Sequence, residues 1–218
     1  MSKKIMLLAL AVASVAMFAL PAAASAQEIH LEGVTSFSGT AGAGSLAAEG
    51  EPTITCESGD IEGTASAGGT TGTISLDFTG CHTTVFGFTA KCRTTGSALD
   101  NTINTSGTFH LVTTVVNPTP EPDILVTPAT TTIVCAGISN TVVHGNILGK
   151  ITSPKCGAES KEMTTSFAAT GTVQNVMEYT GVKYDLTATT GAEGAAKTAG
   201  LNSTGTTKSS TTGKLNCT

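Results

Sequence analysis

Apolar and polar residues alternate with period two over most of the chain. In "TGTISLDF" (71–78), Ile74, Leu76 and Phe78 fall on one side and Thr73, Ser75 and Asp77 on the other, which predicts a half-buried strand. "VVHGNILGKI" sets Val143, Gly145, Ile147, Gly149 and Ile151 along one side, as a single strand. "GVKYDLTA" sets Val182, Tyr184, Leu186 and Ala188 against Lys183, Asp185 and Thr187. Further strands are predicted near 29–37, 53–57, 84–91, 107–117, 123–127, 130–135, 163–176 and 204–216, with the stretch around Gly87 able to turn as a hairpin. Beyond the N-terminus no segment sustains a 3.6-residue apolar period. Many short strands between Gly, Pro and Asn turns predict an all-β chain, an antiparallel β-sandwich or barrel-like fold.

Three stretches depart from the alternation. "FSGTAGAGSLAAEGEP" (37–52) reads as a small-residue loop. "NPTPEPD" (117–123) carries three prolines, which argue against a central strand and mark a sub-boundary in an otherwise single domain, 27–218. "TAGLNSTGTTKSSTTGKLNC" (198–217) has the composition of a flexible tail, although a bridged Cys217 would pin it down.

The N-terminus has a different character. Lys3 and Lys4 precede an apolar run from Ile5 to Leu20, followed by the small residues Pro21 to Ala26. The run is shorter than the roughly 20 residues that span a bilayer, and Ala24 and Ala26 suit cleavage, so 1–26 reads as a signal-peptide helix cut after Ala26. The mature chain is then expected in the medium or at the cell envelope, with no membrane span of its own.

Composition adds two constraints. Charged residues make up 12% of the chain and aromatics 4%, with no Trp, while threonine supplies about a fifth, so large side chains for a core are scarce. A net charge of −5 with no basic patch argues against nucleic acid as a partner.

Six cysteines, Cys56, Cys81, Cys92, Cys135, Cys156 and Cys217, all follow the leader. No C-x-x-C pair offers a zinc knuckle or a redox couple. His82 directly follows Cys81, which on a strand sends the two side chains to opposite faces. His30, His110 and His144 are scattered and read as solvent-facing strand residues. In an exported chain the expected fate is three disulfides, each contributing about 3–4 kcal/mol in the chain-entropy model. Six cysteines allow 15 pairings. The expected set is Cys81 with Cys92, Cys56 with Cys135 and Cys156 with Cys217.

The order "ITC", "LDFTGC", "KC", "IVCAG", "VVHGNILGKITSP" and "MTTSFAATGTVQNVMEY" resembles a family of uncharacterised exported proteins of actinobacteria, in the soil lineage related to Solirubrobacter. The matching positions are Cys56, Gly80 with Cys81, Cys92, Cys135 and Val143 through Pro154, while Cys156 and Cys217 look like an added pair. The resemblance implies export and an all-β fold and lends no catalytic residue.

No G-x-S-x-G elbow supports a hydrolase. Glu57, Asp60 and Glu62 lack the ligand order of a calcium loop, and only Tyr179 and Tyr184 add to the phenylalanines as sugar platforms. Neither catalytic residues, nor a cofactor, nor a metal is expected. The leading expectation is a non-catalytic β-domain with a structural or adhesive role, associating with itself through low-charge strand edges or with envelope components. A barrel holding a small apolar molecule or lipid is the alternative; an internal cavity lined by Phe86, Phe88, Phe109 and Ile147 would favour it. A pore module is a third reading, against which the lack of aromatic girdles counts.

Overall fold

The computed structural model describes residues 29–116, 119–136, 140–176, 178–179, 182–191 and 194–217. The leader read over 1–26 lies outside them. The described residues form strands and turns with no helix. In chain order the strands are β1 (Ile29–Glu32), β2 (Ser36–Ala41), β3 (Gly44–Ala48), β4 (Ile54–Cys56), β5 (Ser58–Ala65), β6 (Thr71–Thr79) and β7 (His82–Val85). Next come β8 (Phe88–Thr94), β9 (Ile103–Val116), β10 (Thr119–Pro128), β11 (Thr131–Cys135), β12 (Thr141–Gly145), β13 (Ile147–Ser153) and β14 (Glu159–Phe167). Four two-residue strands follow, β15 (Ala169–Thr170), β16 (Val173–Gln174), β17 (Glu178–Tyr179) and β18 (Val182–Lys183), then β19 (Leu186–Thr190) and the longest, β20 (Lys197–Cys217).

The pairings close two antiparallel rings. The first runs β14-β13-β10-β9-β6-β5-β2-β20 and returns to β14, an eight-stranded barrel. The second runs β20-β19-β12-β11-β8-β7-β4-β3 and returns to β20. Residues 203–214 of β20 serve the first ring and 199–202 pair with β3 in the second. Five chain segments also pass from one ring to the other with only a short interruption: β2 to β3, β4 to β5, β6 to β7, β10 to β11 and β12 to β13. With β20, the rings are therefore joined end to end along six shared lines of chain.

Alternation places the core. Phe37, Ile61, Phe109, Leu111, Ile124, Val126, Ile147 and Ile151 fill the first ring, and Ile54, Ile133 and two disulfides pack in the second. Threonine occupies facing positions on neighbouring strands, where hydroxyls meet at 2.8 Å in Thr64–Thr73 and at 3.1 Å in Thr164–Thr206. Such cross-strand pairs suit a branched residue and explain how so many threonines stabilise a sheet.

Few aromatics fill a wide interior because each is spread over a glycine. Phe37 stands opposite Gly63, Phe109 opposite Gly72 and Phe78 opposite Gly59. A Cβ at Gly63 would lie 2.6 Å from Phe37 Cε2, and one at Gly72 2.5 Å from Phe109 Cε1. The rings occupy the room that a facing side chain would take. Phe37 and Phe109 then meet edge to face, with centroids 5.7 Å apart.

Several expectations need correction. The small residues of 37–52 are not a loop: they build β2 and β3, whose backbones lie close against β20, as at Gly39 opposite Thr207. Pro120 and Pro122 lie inside β10, between β9 and β13. Residues 119–122 pair only with β9, β13 joining from Asp123 onward, so the missing N–H groups interrupt no ladder. The run 142–151 is two strands. Gly145, at φ 114°, turns the chain out of the second ring, where β12 pairs with β11 and β19, and into the first, where β13 pairs with β10. The glycine-threonine stretch 198–217 is no tail: the strand predicted near 204–216 is present and extends over Lys197–Cys217, common to both rings.

Two cysteine pairings differ from those expected. The bonds are Cys56–Cys81, Cys92–Cys135 and, as expected, Cys156–Cys217. β7 and β8 do form a hairpin, and Cys81 and Cys92 do face each other across it. Theirs is a hydrogen-bonded rung, with Cys92 N–H donating to Cys81 O at 2.9 Å, which sets side chains far apart. Each cysteine bonds outward instead, Cys81 toward β4 and Cys92 to Cys135 in β11, across rungs with Cα atoms 4.0 Å apart.

Candidate functional site

The waist where the rings meet encloses a space of about 110 Å³. Leu76, Phe78, Val126, Ile147 and Phe167 reach it from the first ring, and Leu46, Ile54, Ile133, Val143 and Leu186 from the second. Leu201, on β20, belongs to the wall at the point where that strand passes between rings. Alternation makes these residues converge: β6 turns Leu76 and Phe78 inward, β10 turns Val126 inward, and β3 supplies Leu46. None of the lining side chains titrates, Cys56 being held in its disulfide. The Thr105 and Thr131 hydroxyls in the wall satisfy each other.

Two smaller spaces share wall residues with the waist. One, of about 50 Å³, extends into the first ring and shares Leu76, Phe78, Val126, Phe167 and Leu201 with it. The other, of about 20 Å³, lies among strands of the second ring, shares Leu46 and Ile54, and is bounded by Glu51, Pro52, Thr83 and Thr141.

Of the residues named for a cavity, Ile147 lines it. Phe109 is buried beside Phe37 in the first ring, outside the waist. Phe86 and Phe88 are 96% and 78% exposed, because they sit at the tip of the β7–β8 hairpin beyond the last flanking strands. Leu46 was hidden from the sequence by its small neighbours, and Leu201 by its place in an apparent tail. The alternating runs that hold Leu76 and Phe78, Val143 and Ile147, and Leu186 were the signals of an inward wall.

The other candidates lie apart. His30, His82 and His144 are half-buried rather than solvent-facing, and each ring nitrogen pairs with a threonine hydroxyl, Thr70, Thr55 and Thr187 respectively, at 3.0–3.2 Å. His110 is half-buried as well. Glu57, Asp60 and Glu62 point to solvent from the outer face. Among the described residues no cluster of three or more His, Cys, Asp or Glu is placed to hold a metal ion. Tyr179 and Tyr184 pack with Val176 over the outward residues Val112, Leu125 and Leu148. The low charge of the chain does not prevent one buried carboxyl. Asp123 is fully buried on β10, and burial pushes its carboxyl up to about 6, against the Thr114 hydroxyl that donates to it and the nearby Lys150 ammonium. Asp123 alternates with the inward Ile124 and so faces away from the waist.

Three disulfides fit an oxidising compartment, and among the described residues no helix is long and apolar enough to cross a membrane. No family model, curated protein or solved structure matches the chain.

Proposed function

We propose that the chain is a non-catalytic exported carrier that holds a slender apolar molecule, such as an alkyl or isoprenoid chain, along the axis of its joined barrels. The waist carries this reading: an apolar space with no titratable wall residue, which shares wall side chains with a smaller space in each ring. Small neighbouring volumes suit a slender chain better than a compact ring system. General acid–base or nucleophilic chemistry needs a titratable or activated side chain, and the wall supplies none.

This reverses the order of the expectations. Self-association through strand edges relied on open sheets, and closing both rings pairs those edges. A pore fares no better. Lys208, Ser38, Glu62, Ser75 and Ser106 run side by side across β20, β2, β5, β6 and β9 on the outer face, where a membrane barrel needs apolar residues.

Binding of a fluorescent polyene fatty acid to the oxidised protein tests the reading. Saturable binding is expected, with a loss of at least about tenfold in Val126→Phe and in Val143→Phe, which fill the waist from opposite rings; tenfold corresponds to about 1.4 kcal/mol. Absence of saturable binding by the parent protein, or unchanged binding in both folded variants, would overturn it.

A further inference from the structure

The β7–β8 hairpin outruns its neighbours. β4 accompanies β7 only through Thr55↔His82 and Ile54↔Thr83, and β11 accompanies β8 only at Thr94, Arg93 and Cys92. The rungs Thr84↔Thr89 and Val85↔Phe88, and the turn beyond them, project from the rim with no other flanking strand among the described residues. At the tip Phe86 and Gly87 both take positive φ, 49° and 82°, as a two-residue type I′ turn requires. That first position ordinarily goes to Asn, Asp or Gly, because a larger side chain is strained there. A phenylalanine held in a strained conformation with 96% of its surface exposed, next to a second that is 78% exposed, does nothing for the fold. Such an outlier points toward function.

We propose that this tip inserts into the surface of a lipid layer, seating the rim of the second ring against it so that an apolar chain can pass to the waist. The proposal rests on the carrier reading for what passes, but the insertion stands on its own geometry. Two phenylalanine side chains offer roughly 300 Å² of apolar surface, well below the roughly 800 Å² that each side of a stable protein interface contributes. The tip is also convex: apart from Gly87 and its two chain neighbours, no residue comes within 4 Å of where a Cβ on Gly87 would be. A fluid acyl layer needs no complementary pocket. Lys91, exposed and in no ion pair among the described residues, lies three residues from Phe88, roughly 10 Å back along the strand at 3.3 Å per residue. Rings sunk roughly 5–10 Å bring that ammonium to headgroup level. The small space bounded by Thr83 and Glu51, at the base of the same hairpin, shares Leu46 and Ile54 with the waist.

The experiment is sedimentation of the oxidised protein with phosphatidylcholine vesicles, with and without phosphatidylglycerol, alongside Phe86→Ser/Phe88→Ser and Lys91→Glu. Weak, reversible partitioning of the parent protein is expected. The double variant should lose it by at least about tenfold, corresponding to 1.4 kcal/mol, while keeping its melting temperature and its affinity for the fatty-acid probe in vesicle-free solution. Lys91→Glu should reduce partitioning most on phosphatidylglycerol. Parent protein that stays in the supernatant with every vesicle, or a double variant that still partitions, would overturn the proposal. So would phenylalanine-dependent dimerisation in place of vesicle binding, which would assign the tip to a second copy. Partitioning without probe uptake would uphold insertion and refute the carrier, whereas uptake without partitioning would do the reverse.

Discussion

Replacing Gly63 by alanine tests how this interior is filled. The new methyl would lie 2.5 Å from Thr73 O and 2.6 Å from Phe37 Cε2. Ordinary carbon contacts are about 3.5–4.0 Å, so the ring has to retreat by roughly an ångström. Its retreat is blocked. Phe109 stands edge-on to Phe37 at 5.7 Å and covers Gly72 in turn, so displacement passes to a second filled site. The carbonyl of Thr73 belongs to the β5–β6 ladder and cannot move without loosening it. Overpacking of this kind costs about 1–3 kcal/mol. The gain from removing a strand glycine is about 0.5–1 kcal/mol, so at the middle of both ranges overpacking wins by about 1.2 kcal/mol. For a chain of this size each kcal/mol moves the midpoint by about 2–4 °C. A fall of about 2–5 °C is expected by calorimetry of the oxidised protein. In a Phe37→Leu background the ring clash is gone, and Gly63→Ala should cost at least about 1 kcal/mol less, a coupling that a double-mutant cycle reads directly. An unchanged melting temperature in the single variant, or strictly additive costs in the cycle, would refute the account of phenylalanines spread over glycines.

Two further predictions follow from the covalent and electrostatic features. Non-reducing peptide mapping should recover Cys56 with Cys81, Cys92 with Cys135 and Cys156 with Cys217, and Cys156→Ser/Cys217→Ser should lose about 4 kcal/mol; a cross-linked Cys81–Cys92 peptide would contradict the sheet register. Asp123 in the unfolded chain ionises near 3.8, but folded it keeps its proton to about 6. Its stabilising contribution is therefore complete below 3.8 and is lost as pH rises through about 6, a difference of about 3 kcal/mol. Against Asp123→Asn, which still accepts from Thr114, the parent's relative stability should decline between pH 4 and 7 in urea titrations, and a pH-independent difference would refute the assignment.

Much of the fold was legible because alternation is local. Ile74, Leu76 and Phe78 announce an inward face without reference to any other strand. Ring closure is not local: it depends on β20 meeting β14 and β3, residues up to about 150 positions away in sequence. Small residues misled for a related reason. Gly39 and Gly44, in a run that reads as a loop, look like turn formers alone, and become strand formers only once β20 lies against them. The cysteine partners failed on phase, since a hairpin identifies facing residues but not which rungs carry hydrogen bonds. The waist was the least legible part, because its walls come from separate strands of both rings.

The disulfides and the waist are connected through stability. A residual space of about 110 Å³ lowers stability by about 2–3 kcal/mol at roughly 24 cal/mol per Å³. In a chain with 4% aromatics that is a large fraction of the usual 5–15 kcal/mol. Cys56–Cys81 and Cys92–Cys135 close segments of 25 and 43 residues and contribute about 3.5–4 kcal/mol each. Both lie in the second ring, with Cys56 in the wall of the waist itself. The cross-links outweigh the cost of the space at the place where it arises. Bulky side chains could have filled the waist and made two bonds less necessary; a chain that keeps covalent links beside an apolar waist has its stability arranged around that space.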